Sequence, residues 1–161
     1  MAKVEGLYAR GTSAGLLQNP LGIPHDSASR SATQLLPLGF RAIDEAGNEY
    51  TYVKAGAAIN ANDAVKLNGS ALGYDDVQVT TNDDEVLFGV ATAAFTIAHY
   101  GFVQTRGVVT CKVIVATAAG SALVPGATDG TLKLAVAASL PGKGAIALVT
   151  GVAAGSAIHL F

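Results

Sequence analysis

The sequence predicts an all-β protein, a compact antiparallel β-barrel or sandwich that follows an extended, mostly irregular N-terminal arm. Three observations support this class. Short runs rich in Val, Thr, Ile and aromatic residues recur about every 8–14 residues, separated by Gly, Pro and Asn turns. No apolar pattern with a period of about 3.6 residues persists over a dozen positions, as an amphipathic helix requires. The length of 161 residues favours one domain with an appendage.

Residues 1–36 form the predicted arm, and residues 37–161 form the predicted domain. Gly and Pro recur too often in the arm for a helix or strand to grow. Its apolar residues are aperiodic, and it holds more Leu than a disordered linker would. We expect the arm to become ordered against a neighbouring chain; the alternative is that it wraps its own domain. The predicted anchors are Leu7, Tyr8, Leu16, Leu17, Leu21 and Ile23.

The clearest hairpin follows the arm. Residues 38–44 and 48–55 alternate as strands do, and Gly47 between them is free to take a positive φ. Shorter strands are predicted over residues 64–67, 77–80, 86–93, 145–150 and 157–161, with 86–93 buried on both faces. One short helix is the alternative reading of residues 57–63 or 121–125.

The longest strand-forming run spans residues 98–115 and is rich in Val, Thr, Phe and Tyr. We expect Gly107 to bend or bulge this strand without ending it. Residues 119–127 partly echo residues 57–64, and a strand ending in Lys-Leu follows each of them. This echo predicts internal pseudo-repetition that is too degenerate for a solenoid.

The charge content is unusually low for a soluble chain. Charged residues make up 14% of the sequence and the net charge is −2, whereas about 25% charged residues is typical of soluble domains. Burial of part of the surface against other chains is the favoured explanation, with a soluble Ala- and Thr-rich β monomer as the alternative. Lys and Arg are scattered, so nucleic-acid binding is not expected. Neither a signal peptide nor a membrane span is predicted.

No catalytic signature, metal site or cofactor motif emerges from the sequence. His25, His99 and His159 have no partner at the spacing of metal ligands. The acidic runs lack the pattern of a calcium loop, and the Gly-rich segments lack the other residues of a phosphate loop or nucleophile elbow. Cys111 is expected to be a small buried apolar residue. The chain is therefore predicted not to be an enzyme and to bind no cofactor.

Two stretches resemble small capsid-associated proteins of tailed bacteriophages. GFRAIDEAGNEYTYVKAGAAI, residues 39–59, resembles the opening hairpin of those proteins. YGFVQTRG, residues 100–107, which follows Val90 and Ala91, resembles their later core strand. The resemblance covers about residues 39–115, and the Ala- and Gly-rich tail extends it loosely.

The resemblance implies a head decoration, or cement, protein. Such proteins lie on the outer surface of the capsid, usually as trimers at three-fold positions, and clamp neighbouring subunits of the major capsid protein. Arms that reach the capsid or sister subunits are common among them. The implied partners are the major capsid protein and further copies of the chain. The implied location is the virion, after synthesis in the host cytoplasm.

On this reading the arm anchors contact the capsid or a sister subunit, and Arg106 is a candidate intersubunit contact. One alternative is another virion component, such as a head fibre base, a tail part or the major capsid protein. A second is a cellular carbohydrate- or ligand-binding β module, for which an exposed cluster of Tyr50, Tyr52, Tyr74 and Tyr100 would be the sign.

Overall fold

A computed structural model of the chain confirms the predicted all-β class. It describes residues 8–9, 28, 30–44, 46–68, 73–82, 86–114, 117–135, 145–148 and 155–161, and no helix occurs among them. Their strands are β1 (Tyr8–Ala9), β2 (Arg30–Ser31), β3 (Arg41–Ile43), β4 (Glu49–Lys54), β5 (Ala64–Leu67), β6 (Val77–Val79), β7 (Gly89–Val90), β8 (Tyr100–Cys111), β9 (Ala122–Pro125), β10 (Leu132–Leu134), β11 (Ala145–Ala147) and β12 (Ser156–Leu160). All the ladders between them are antiparallel and join in one curled sheet.

Strand β8 is central to the sheet, because both β4 and β12 pair with it. Residues 100–106 pair with β4, and residues 107–111 pair with β12. Gly107, where the partner changes, has φ +97°, a conformation that strains any residue with a Cβ. The ladder with β4 is irregular just before this point, where its register shifts between Glu49 and Tyr50. The prediction that Gly107 distorts this strand without ending it is confirmed.

Two units with the same strand topology share β8. The first unit comprises β4, β5, β6, β7 and residues 100–106; the second comprises residues 107–111, β9, β10, β11 and β12. In both, the first strand pairs with the fifth, the fifth with the fourth, the fourth with the second, and the second with the third. In both, the residues after the first strand return to the third strand through one parallel bridge, Ala55 to Val77 and Val113 to Leu132. Each unit therefore curls in the same way.

The repeat extends to single hydrogen bonds. Asn62 and Gly120 both have positive φ at the corner before the second strand of their unit. The Asn62 N–H donates to the Ala91 carbonyl at 2.7 Å, and the Gly120 N–H donates to the Ala147 carbonyl at 2.8 Å. The corners lie 58 residues apart (120 − 62), as do the bridged residues Ala55 and Val113 (113 − 55). The predicted pseudo-repetition is therefore present, with equivalent corners at Asn62 and Gly120.

Each unit has its own apolar interior, built from equivalent positions. Val53, Val65 and Val103 in the first unit correspond by strand register to Cys111, Leu123 and Ile158 in the second, and all six are almost fully buried. The second interior also takes in Ala64, Leu87 and Val90 of the first unit. Because one cluster crosses between the units, they pack as a single body.

Other element predictions have mixed outcomes. The β3–β4 hairpin is confirmed, and Gly47 in its turn has φ +85°. The strand predicted over residues 86–93 is only Gly89–Val90. Gly89 lies so close to the Gln104 carbonyl of β8 that a Cβ there would collide with it. Residues 122–125 form a strand where a helix was the alternative, because β10 and β11 pair with both of its edges.

Two pieces of the predicted arm are described. Tyr8–Ala9 pairs with β3, and Arg30–Ser31 pairs with β8 at Gly101 and Tyr100. The arm boundary at residue 36 and the choice of what the rest of the arm contacts stay predictions, since residues 1–7 and 10–27 lie outside the described residues.

Candidate interaction surface

The second unit presents an apolar sheet face to solvent. In β8, β11 and β12, buried and exposed residues alternate, so one face packs on the interior and the other points outward. Cross-strand register places the outward residues in two rows, Val108–His159–Ile146–Ala122 and Thr110–Ala157–Leu148. Val108 is 52% exposed, Leu148 41% and Ile146 36%. These seven residues are called the open face.

The equivalent face of the first unit is buried. By the same register, Tyr50–Gln104–Val90–Ala64 corresponds to Val108–His159–Ile146–Ala122. None of the four first-unit residues is more than 5% exposed. The difference lies in what covers the two faces, because the strands beneath them are arranged alike.

Residues N-terminal to the first unit supply much of that cover. Ala42 of β3 packs with Tyr50, Tyr52 and Phe102, and the preceding residues Leu36, Leu38 and Phe40 pack on the same cluster. Tyr52 and Phe102 meet edge to face with ring centroids 5.2 Å apart, and the Leu35 N–H donates to the Tyr52 hydroxyl at 3.2 Å. At the other end of the row, Ala64 and Val90 pack into the interior of the second unit. Cover of the aromatic end therefore comes from an extended, apolar segment.

One edge of β8 borders the open face. The Val108 N–H donates to Asn48 Oδ1 at 3.0 Å, so it points away from the partner strand β12. Backbone groups alternate along a strand, so the N–H of Thr110 lies on the same edge. Within the described ranges, no strand pairs with this edge of residues 108–111. The Val108 carbonyl on the same edge accepts a hydrogen bond from Gln104 Nε2 at 2.9 Å, so the side chains of Asn48 and Gln104 already pair both backbone groups of Val108.

Asn48 is held in place by the turn of the β3–β4 hairpin. Asp44 accepts hydrogen bonds from the Asn48 N–H at 2.9 Å, the Asn48 side-chain amide at 2.8 Å and the Tyr50 hydroxyl at 3.0 Å. A turn residue with a short acidic side chain favours such local bonding. The hairpin turn thereby fixes the position of β8 at Gly107 and Val108.

Charged groups border the open face but do not enter it. Arg106 is the residue for which an intersubunit contact was predicted; its side chain is 60% exposed and its Nη1 lies 3.6 Å from Glu49 Oε1. An exposed pair of this kind contributes at most about 1 kcal/mol. Lys112 reaches the buried Asp63 carboxylate at 2.5 Å. Arg106 stands at the rim of the face, where a partner could contact it.

The arm rejoins the domain at Arg30, a residue the sequence analysis left out. Its guanidinium carbon lies 3.8 Å from the Phe95 ring centroid, and Nη2 donates to the Ala93 carbonyl at 3.0 Å. A cation over an aromatic face is stabilised by the ring quadrupole. An isolated Arg in an irregular segment gives no sequence signal for this contact, because Phe95 is 65 residues away (95 − 30).

The residues considered for chemistry lie in scaffold positions. Cys111 is buried, and burial together with the nearby Asp63 charge raises the pKa of its thiol to about 12. The part of the chain that the structure describes holds no group of three or more His, Cys, Asp or Glu placed to bind a metal ion. His99 Nδ1 lies 3.2 Å from the Ile97 carbonyl, whereas His25 is outside the described residues.

The tyrosines considered for a carbohydrate site do not form an exposed cluster. Tyr50 and Tyr52 are buried, and burial raises the pKa of the Tyr52 hydroxyl. Tyr74 packs against the first interior, and Tyr100 is stacked on Tyr52 with ring centroids 6.4 Å apart. All four belong to packed clusters, as a structural role requires.

The predicted arm anchors remain untested. Leu7, Leu16, Leu17, Leu21 and Ile23 lie outside the described residues, and of Tyr8 the backbone alone is described, in β1. The open face was not predicted. Small and large residues alternate over residues 145–148, but the sequence does not say which set faces inward; in the structure Ala145 and Ala147 are buried, and Ile146 and Leu148 are exposed.

Comparison of the sequence with protein-family models and with curated proteins gives no match. Among the residues described, no helix has the length and apolar character needed to cross a membrane. The geometry on its own defines a class: an all-β protein with a duplicated unit and one uncovered apolar face.

Proposed function

We propose that the chain is a capsid decoration protein of a tailed bacteriophage. It binds the outer surface of the head as a homotrimer and stabilises contacts between subunits of the major capsid protein. The observation that carries the proposal is the resemblance of residues 39–59 and 100–107 to small capsid-associated phage proteins. These two stretches supply β3, β4 and the first part of β8, which are adjacent strands of one sheet. The similarity therefore falls on one contiguous piece of the fold.

The surface chemistry supports the same function. A chain with 14% charged residues and an exposed apolar face needs partners to cover that face. A cement protein gains affinity through several weak contacts made at once, because a trimer bound at one point holds its other sites at high effective concentration. No single strong pocket or catalytic group is needed for that role.

Co-sedimentation with expanded capsids of the cognate phage, together with mass photometry of the free protein, tests the proposal. The intact chain should sediment with capsids and should have the mass of three copies. Deleting residues 1–36 should leave a folded domain that binds capsids poorly. A second variant lacking residues 1–27 keeps Arg30 on Phe95 and separates loss of the arm from loss of its anchoring strand. Undiminished capsid binding by both truncations would refute the role of the arm, and absence of binding by the intact chain would refute the function.

A further inference from the structure

We propose that Asn48 and Gln104 close the outer edge of β8 in the second unit, and that this closure keeps two copies of the chain from joining edge to edge along residues 108–111. The outer edge is the side of these residues that faces away from β12. The closure is a property of the fold itself and is independent of capsid binding.

Two side chains occupy the backbone groups of Val108 on the outer edge. The Val108 N–H donates to Asn48 Oδ1 at 3.0 Å, and the Val108 carbonyl accepts from Gln104 Nε2 at 2.9 Å. Asn48 lies in the β3–β4 turn and Gln104 in the half of β8 that pairs with β4. Both therefore reach across the junction between the two units to Val108.

The other end of the outer edge is closed by backbone groups. The Lys112 N–H donates to the Asn62 carbonyl at 3.0 Å, and the Lys112 carbonyl accepts from the Leu132 N–H at 2.8 Å. Backbone groups alternate along a strand, so Thr110 is the residue between Val108 and Lys112 on this edge. Among the described residues of this edge, Thr110 alone has an unpaired N–H and carbonyl. One residue is too short a site for a strand to add.

The first unit shows that this edge accepts a strand where no side chain blocks it. The Tyr52 N–H donates to the Phe40 carbonyl, and the Gly39 N–H donates to the Tyr52 carbonyl, both at 2.8 Å. With the repeat offset of 58 residues, Tyr52 corresponds to Thr110 (52 + 58). The segment that ends in β3 therefore covers in the first unit the edge that Asn48 and Gln104 close in the second.

An unclosed edge at this position would favour pairing with the same edge of another copy. Val108, Val109 and Thr110 are uncharged and β-branched, as residues that pair readily in extended conformation are. An exposed edge of this composition is a template for another strand. Antiparallel pairing of two identical edges is isologous, and it would also bring two open faces into one continuous sheet.

Gln104 occupies a position that otherwise suits an apolar residue. It is 2% exposed and lies in one cross-strand row with Tyr50, Val90 and Ala64. A buried amide is costly unless it is hydrogen-bonded, and Nε2 donates to the carbonyls of Arg106 at 3.2 Å and Val108 at 2.9 Å. The contribution particular to glutamine at this position is therefore the pairing of those two carbonyls.

Sedimentation velocity of full-length variants tests the proposal. Asn48→Ala combined with Gln104→Met removes both side-chain partners of Val108, while methionine keeps most of the volume of the buried glutamine. Gly47→Ala is the matched control, since a Cβ there would meet nothing within 4 Å and would leave the outer edge unchanged. A third variant adds Thr110→Lys to the double substitution, because a charged side chain on an edge strand discourages pairing. Circular dichroism checks that each variant is folded.

We expect the double variant to form species larger than those of the intact chain, several-fold more abundantly at equal concentration. Gly47→Ala should match the intact chain, and Thr110→Lys should restore the distribution of the intact chain to the double variant. A folded double variant with an unchanged distribution would overturn the proposal. Equal association by Gly47→Ala, or a failure of Thr110→Lys to reduce association, would do the same.

Hydrogen exchange in the intact chain provides a measurement that needs no variant to fold. After correction for intrinsic rates, the Val108 N–H should exchange several-fold more slowly than the Thr110 N–H on the same edge, because Asn48 accepts a hydrogen bond from Val108 alone. Equal rates would overturn the proposal. Two slow amides would mean that the edge is already paired with another copy, and two fast amides would mean that Asn48 does not close it.

Discussion

Replacing Gly107 by Ala perturbs the point where β8 passes from one unit to the other. Gly107 has φ +97°, and a Cβ built there would collide with Asn48 Oδ1 and lie 3.1 Å from the Asn48 Cα. Asn48 cannot retreat freely, because Asp44 accepts two of its hydrogen bonds and the Val108 N–H donates to it. The substitution therefore strains the backbone and displaces a fixed neighbour at the same time.

The expected loss follows from two contributions. A residue with a Cβ in left-handed backbone costs about 1–2 kcal/mol. Displacing Asn48 removes its hydrogen bond from the Val108 N–H, which contributes about 1 kcal/mol. Any crowding that remains between the new Cβ and Asn48 adds to this loss. We expect Gly107→Ala to lower the free energy of unfolding by about 3 kcal/mol.

Gly47→Ala is the matched control for this prediction. Gly47 has φ +85° in the β3–β4 turn, next to Asn48, but a Cβ there would meet nothing within 4 Å. It should therefore show the backbone contribution alone, about 1–2 kcal/mol. Urea unfolding followed by circular dichroism measures both variants. Losses that agree within about 0.5 kcal/mol would refute the role assigned to Asn48, as would a failure of Asn48→Ala to relieve part of the Gly107→Ala defect.

Three further predictions concern buried groups and the arm. The pKa of the Cys111 thiol is raised from 9.0 to about 12. This thiol therefore ionises first in the unfolded chain above pH 9, so the free energy of unfolding should fall by about 1.4 kcal/mol per pH unit until about pH 12. Cys111→Val should remove that share when urea unfolding is compared at about pH 8 and pH 10.5, and an unchanged slope would contradict the assignment. Lys112→Met should destabilise the fold by about 3 kcal/mol, which is more than the loss from Asp63→Asn. Lys112→Met leaves the Asp63 carboxylate, which is 3% exposed, without its cation, whereas Asp63→Asn leaves a Lys112 side chain that is 35% exposed and can rehydrate. Equal losses in thermal unfolding would count against this. Arg30→Gln should raise the rate of limited proteolysis at residues 28–31 several-fold, because it removes the contact with Phe95. The melting temperature should change by no more than a few degrees. An unchanged cleavage rate would show that this contact does not hold the arm.

The local strand pattern could be predicted from the sequence. Alternation in residues 49–54 and the turn at Gly47 predicted the β3–β4 hairpin, and the Val- and Thr-rich run predicted β8. These features depend on neighbouring residues, where side-chain periodicity and turn chemistry act directly. The strand predicted over residues 86–93 was too long, because only Gly89–Val90 pairs as a strand, with β5 and β8.

The repeat could be predicted only in outline. Its register is carried by backbone hydrogen bonds at Asn62 and Gly120, two different residues that share a positive φ. Residue identity therefore says little about equivalence, and the Lys-Leu pairs at residues 66–67 and 133–134 turned out to lie on non-equivalent strands, β5 and β10.

The open face was beyond sequence reasoning for a related reason. Ile146 and Leu148 would be core residues in most strands, and only the pairing of β11 with β12 shows that they face outward. The arm anchors were chosen on composition, and no contact of the described residues tests them. Arg30 shows the limit clearly, because its partner Phe95 becomes a neighbour only through the fold.

The shared strand also orders events during synthesis. Domains fold as the chain leaves the ribosome, N-terminal parts first. The first unit has all its strands once residue 106 has emerged, but the second has no closing partner for residues 107–111 until β12, at residues 156–160, is made. For about fifty residues of translation, the C-terminal half of β8 is an unpaired apolar edge attached to a finished unit. The nascent protein is therefore most exposed to chaperones and to mispairing in that interval, and the last five-residue strand ends it.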